Sequence, residues 1–138
     1  MESREPQQRE LVRRIFEDGW NRASFEFLID ATAPSIPFHY HGETVTVTPD
    51  SLPALVDAWR SSFPDLDMRI RHLISQDDLV AVALTLRGTH RGEWAGVPAS
   101  GKLVEVEEMM FFRFDDGLLV EMWEVFDEHG LQRQLRSS

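Results

Sequence analysis

The chain has 138 residues, no cysteine, and 24 acidic against 14 basic side chains, a formal charge of −10. That length suits a single domain, residues 1–138, while the missing thiols exclude disulfides, cysteine nucleophiles and thiolate metal sites. No dense Lys/Arg run offsets the negative charge, so neither nucleic acid nor an anionic membrane is expected as a partner; with no apolar run near the roughly 20 residues that span a bilayer and a charged opening MESREPQQRE, a soluble cytoplasmic protein is expected.

Pro6 suits the first turn of a helix, and Leu11, Val12, Ile15, Phe16 and Trp20 recur at helical spacing, which predicts an amphipathic helix over residues 6–20 that frays at Gly19. A second short helical pattern groups Phe25, Leu28 and Ile29. Pro34 and Pro37 then hand over to the extended FHYHGETVTV. Asp50 or Ser51 can cap a third helix, whose stripe is Leu52, Leu55, Val56, Trp59 and Phe63. From Leu66 the period becomes two, with Leu66, Met68, Ile70, His72 and Ile74 on one face of a half-exposed strand. The run Leu79–Arg91 aligns Val80, Val82, Leu84 and Leu86, with His90 in the same register. Residues 104–114 and 118–126 are apolar on both faces and are joined by the turn Asp115-Asp116-Gly117. Strands covered by helices on one side and by a partner subunit on the other have this character, so a homodimer is expected. Helical segments followed by a run of strands predict an α+β domain, with helices packed on one curved antiparallel sheet.

The order of these elements, the segments GTHRG (88–92) and WAGVPASGK (94–102), and the ending W-x-x-x-D-x-x-G-L-x-x-Q-L from Trp123 to Leu135 resemble SnoaL-like polyketide cyclases. These are small enzymes of the nuclear-transport-factor-2-like superfamily, and the resemblance covers nearly the whole chain. It implies a cone-shaped α+β fold with N-terminal helices on a curved sheet. It also implies acid/base ring closure of a polyketide-like or other carbonyl-rich small molecule, with neither a metal nor an organic cofactor. Asp127 matches the acid of the tail motif, which family cyclases use as general acid/base.

From the residues alone Asp127 has two readings with opposite consequences. At the strand-to-helix exit it suits a helix N-cap, whose backbone N–H groups would lower its pKa; as a base it needs an apolar pocket and acidic neighbours such as Glu121 or Glu124 to raise it. Glu108 shares strand parity with Val106, Met110 and Phe112, where an acid must be paired, protonated or facing a cavity, unless a β-bulge turns it outward. His90 lies on an apolar face and would orient an acid such as Glu108 or Asp127, or serve only as a satisfied core residue. His39 and His41 fall on one side of an extended segment, about 7 Å apart. That pair suits a pocket mouth contacting substrate better than a metal site, while Tyr40 should point away. Phe16, Trp20, Trp59, Phe63, Met110, Phe112 and Trp123 are the candidate walls of a substrate cavity, against the ordinary alternative of core packing.

Little machinery is needed for aldol closure, because flanking carbonyls already acidify the methylene that loses its proton. In the same pocket the alternatives are isomerisation of the ketosteroid type, or epoxide opening by an Asp-Arg-Asp network in which Arg87 or Arg91 would take part. A non-catalytic dimeric module holding a small hydrophobic ligand is the remaining reading.

Overall fold

A computed structural model describes residues 3–137. Helix α1 (Glu5–Arg14) runs without interruption into a π-helical turn, Ile15–Trp20. Then come the short α2 (Leu28–Ala31), the hairpin β1 (Ile36–Tyr40) and β2 (Glu43–Val47), and helix α3 (Ser51–Ser62). Four long strands follow, β3 (Asp67–Gln76), β4 (Leu79–Thr89), β5 (Leu103–Asp115) and β6 (Leu118–Phe126), and α4 (Glu128–Arg136) closes the described chain. One six-stranded sheet runs in the order β2-β1-β6-β5-β4-β3. Its neighbours are antiparallel except β1 and β6, which pair parallel, with Tyr40 beside Glu124. The sheet is mixed rather than purely antiparallel. The early hairpin joins at the strand that comes last in the chain, a long-range pairing that no local pattern encodes.

The apolar alternation of β4 and β5 supplies the core. Val80, Val82, Leu84 and Leu86 are buried against Val104, Val106, Met110, Phe112 and Phe114, and the helices contribute Val12, Phe16, Val56, Leu131 and Leu135. Two local features depart from simple alternation. A bulge at Arg71 shifts the β3 register between Ile70 and His72, so Met68 and Ile70 face inward while His72 and Ile74 turn to the outer face. Ile74 is consequently 68% exposed. In the second case FHYHGETVTV is a hairpin rather than one extended run, because His41 and Gly42 take left-handed φ values of 49° and 86°. Ile29 also leaves the expected cluster, being exposed where Leu28 is buried.

The π turn places Ile15, Phe16 and Trp20 on the concave side of the sheet, and Asn21 just beyond it is tied to β3. Its amide nitrogen donates to the Met68 carbonyl at 3.0 Å, and its amide oxygen accepts the Met68 N–H at 2.7 Å. Insertions of this kind in helices recur beside functional sites, since they re-aim a few side chains without ending the helix.

Candidate functional site

The concave face of the sheet, the π turn, α2 and α3 enclose a cavity of about 450 Å³. A void of that size holds a small organic molecule. Its walls are almost wholly apolar: Phe16, Trp20, Trp59, Met110 and Phe112 line it, joined by Phe38, Leu52, Leu86, Met122 and Phe126. The lining includes two carboxyl groups, Glu108 and Glu124, together with the Tyr40 phenol and the hydroxyls of Thr32, Thr48 and Ser51. Among the described residues it includes no Lys, Arg or His.

Register explains how the two acids meet. Glu108 pairs across β5 and β6 with Phe126, and Met110 pairs with Glu124, so the glutamates are diagonal neighbours on the inward face. Glu108 is only 6% exposed. Burial, and then the charge of Glu124, push its pKa well above the ordinary carboxylate range, and it donates the hydrogen bond that joins the pair. Burial raises Glu124 to about 7, against the opposing effect of the hydrogen bond from Glu108. Both carboxyls are thus held above the ordinary range, and the titration belongs to the pair. Among the described residues no backbone N–H, hydroxyl or cationic side chain donates to either.

Tyr40 faces this pair, contrary to the expectation that it points away. It is the last residue of β1, beside Glu124 on β6, and burial followed by the charges of Glu128, Glu124 and Glu108 raises its pKa, so its hydroxyl stays a proton donor. Its ring lies 6.0 Å from Phe126, whose ring is 5.8 Å from Trp59 in an edge-on contact.

Asp127 takes the capping role. It is exposed and absent from the cavity lining, and its Oδ1 accepts the Gly130 N–H at 2.8 Å at the start of α4. A Cβ at position 130 would lie 2.1 Å from the Asp127 carboxylate, which explains the D-x-x-G spacing. The rest of the tail motif seats the helix: Leu131 and Leu135 are buried, and Gln134 bonds both the N–H and the carbonyl of Glu105. The motif is read here as architecture.

His90 is fully buried but reaches neither acid. Its Nδ1 lies 2.9 Å from Ser100 Oγ and accepts the Ser100 N–H at 3.2 Å, while its backbone bonds Lys102 and Gly101. GTHRG and ASGK thus pin one another and the end of α3, whose Ser62 carbonyl accepts from Arg91 and Gly92. Gly92 is needed there, since a Cβ would lie 2.2 Å from the Ser61 carbonyl oxygen. Phe63 packs in the core against His90, at 5.6 Å between rings, and does not line the cavity.

His39, His41 and Trp123 also lie outside the cavity lining. By strand alternation His39 and Trp123 share the outer face, their rings 5.2 Å apart, and His39 Nε2 is 2.7 Å from Glu121, which Arg113 also binds at 2.9 Å. Those two hydrogen bonds lower the Glu121 pKa. His41 sits in the hairpin turn, where its Nε2 accepts the Phe126 N–H at 3.3 Å. The sheet separates His39 from Glu108, and among the described residues no three His, Asp or Glu side chains form a metal-holding group. Arg87 and Arg91 are exposed and do not reach the cavity lining.

In the sequence Glu124 entered only as an acidic neighbour of Asp127, and Tyr40 only as a residue pointing away. Glu124 shares period-two parity with Met122 and Phe126, the same signal that marks Glu108. Tyr40 carries no comparable signal, because its direction depends on the pairing of β1 with β6.

The sequence model of the SnoaL-like polyketide cyclases matches residues 10–135. No curated protein matches the chain. Similar solved structures include a proposed SnoaL-like polyketide cyclase from Jannaschia sp. CCS1, 24% identical with a TM-score of 0.86 over 100% of this chain and 97% of that one. AclR from Streptomyces galilaeus, a proposed hydroxylase, is 27% identical with a TM-score of 0.78, covering 94% of this chain and 81% of that one. A protein from Catenulispora acidiphila with a ketosteroid isomerase-like fold is 13% identical with a TM-score of 0.71, covering 91% of each. With the six-stranded curved sheet and the helices on its concave side, these matches establish the cone-shaped nuclear-transport-factor-2-like fold, and the chain belongs to the SnoaL-like polyketide cyclase family.

Proposed function

We propose that the protein is a cofactor-independent acid/base enzyme that closes a ring in a carbonyl-rich small molecule, with Glu124 as base and Glu108 as acid. The observation carrying this reading is a pair of carboxyl groups, diagonal neighbours on the inward face of the sheet, in an otherwise apolar cavity that raises the pKa of both. Environments that drive two titratable groups apart are how a site sets acid and base roles. The Glu124 carboxylate removes a proton from a methylene flanked by carbonyls, and the C–H electron pair becomes the enolate. The enolate carbon attacks a second carbonyl of the same molecule, and Glu108 protonates the alkoxide formed. The proton on Glu124 then returns to Glu108 across their hydrogen bond, which restores the starting state. Tyr40 donates to a substrate oxygen, and the apolar walls hold the chain folded for closure.

In this proposal Asp127 positions α4, and His90 holds the loop behind the cavity, rather than transferring protons. The epoxide-opening alternative loses its support, since among the described residues no arginine lines the cavity. We further propose a homodimer through the outer sheet face, where Met109, Phe111 and Val125 are 59%, 49% and 65% exposed beside Ala81, Ala83 and Trp123. A contiguous apolar surface of this kind favours a protein partner. The catalytic reading is tested with 1,5-diketones that carry a further carbonyl, such as nonane-2,4,8-trione, whose C3 methylene lies between two carbonyls; its aldol closure onto C8 and loss of water give an absorbing enone. The wild-type protein should accelerate closure, and Glu124→Gln should lower the rate by about 10²-fold or more. A substrate turned over equally well by both proteins would refute the assignment.

A further inference from the structure

The charge balance of the cavity points beyond a neutral substrate. Apart from the hydrogen bond between them, Glu108 and Glu124 receive no donor from the protein among the described residues, and among those residues no cationic side chain lines the void. Glu128 adds a third negative charge acting on Tyr40. An anionic ligand would meet like charge in a water-poor space, and a neutral one would leave the Glu124 carboxylate with only the Glu108 proton as partner. A cation removes both problems. Next to the acids the lining holds aromatic rings of the kind organic cations prefer: Tyr40 beside Glu124, with the His41 ring stacked on one of its faces at 3.9 Å, Phe126 beside Glu108, and Trp59 5.8 Å from Phe126. Hard inorganic cations suit the site poorly, since they need six or more oxygen ligands to replace their water and the apolar walls offer few. A weakly hydrated ammonium carrying its own apolar groups loses little on entry.

We propose that the cavity recognises a hydrophobic ligand bearing one positive charge on nitrogen, a tertiary or quaternary ammonium seated on Tyr40, Trp59 and Phe126 against the Glu124 carboxylate. This deepens the proposed function and rests on its reading of the cavity as the substrate site: the substrate class becomes carbonyl compounds that carry a basic nitrogen.

The test compares benzyltrimethylammonium with its neutral isostere neopentylbenzene at pH 8, by quenching of the cavity tryptophans Trp20 and Trp59 and by calorimetry. The wild-type protein should bind the ammonium at least about tenfold more tightly than the isostere. In Glu124→Gln that preference should fall to near parity while the isostere binds as before, which also shows that the variant is folded. Trp59→Leu, followed by calorimetry, should weaken the ammonium more than the isostere. Equal affinity in the wild-type protein, an undiminished preference in Glu124→Gln, or no binding of either probe overturns the inference. Because closure of a neutral diketone is measured separately, loss of cation selectivity with closure intact sinks only this inference, and selectivity without closure sinks only the enzymatic reading.

Discussion

Glu124→Gln should stabilise the protein, and by an amount that grows with pH. In the folded chain Glu124 titrates at about 7 instead of 4.5, so above the unfolded pKa the native state holds a proton more tightly than the unfolded chain does. Stability from a raised carboxyl is fully present below the unfolded value and is lost as pH rises through the folded one. Moving the group from 4.5 to about 7 at 1.36 kcal/mol per pH unit costs about 3 kcal/mol once both states are ionised. Near pH 5.5 only about 1 kcal/mol of that has been lost, by the same linkage. A glutamine of the same shape has no charge to desolvate. Urea unfolding of both proteins from pH 5.5 to 8.5 should therefore show a stability difference in favour of Glu124→Gln that widens by about 2 kcal/mol, with unchanged m-values. Glu108→Gln/Glu124→Gln should follow the same trend, since it removes the titration altogether. A difference independent of pH, or a destabilised Glu124→Gln at pH 8, would refute the claim that the cavity holds a desolvated acid pair.

Closure of a diketone should rise with pH through an apparent pKa near 7, as Glu124 ionises, and fall at higher pH once Glu108 loses its proton; a rate–pH profile that is flat between 5.5 and 8.5 contradicts the role assignment. Asp127→Ala should cost about 1 kcal/mol in urea unfolding while changing the closure rate less than threefold, about the penalty of a lost N-cap. Gly130→Ala should cost more, about 2 kcal/mol, because its Cβ would sit 2.1 Å from the Asp127 carboxylate; that cost should shrink in the Asp127→Ala background, which a double-mutant cycle measures. Phe111→Lys at the centre of the outer face should shift sedimentation from dimer to monomer with the far-ultraviolet spectrum preserved.

The three family segments prove unequal as guides to chemistry. GTHRG, ASGK and the tail meet one another or adjacent backbone: His90 with Ser100, Gly92 against the Ser61 carbonyl, Gln134 on Glu105, and Asp127 on Gly130. None of these residues lines the cavity; their bonds fasten the loop and α4 to neighbouring backbone. The acids on its floor lie in plain strand alternation, with no local motif. That is how one scaffold can keep its frame while the floor of the cavity changes from one chemistry to another.

Much of the architecture was legible in the residues themselves. Periodicity of 3.6 marked α1 and α3, alternation marked β4, runs apolar on both faces marked β5 and β6, and parity singled out Glu108 as an acid in an apolar row; these are properties of neighbours within one element, where backbone geometry dictates which side chains share a face. Non-local pairing decided the rest. A bulge at Arg71 sent His72 and Ile74 to the opposite face, the hairpin turn at His41–Gly42 separated the two histidines, and the parallel pairing of β1 with β6 put Tyr40 against Glu124 and left His39 outside. The burial that raises Glu124 and Glu108 exists only after segments distant in the chain have closed around them, so local sequence offered both readings of Asp127 and of Glu108 and the tertiary structure decided between them.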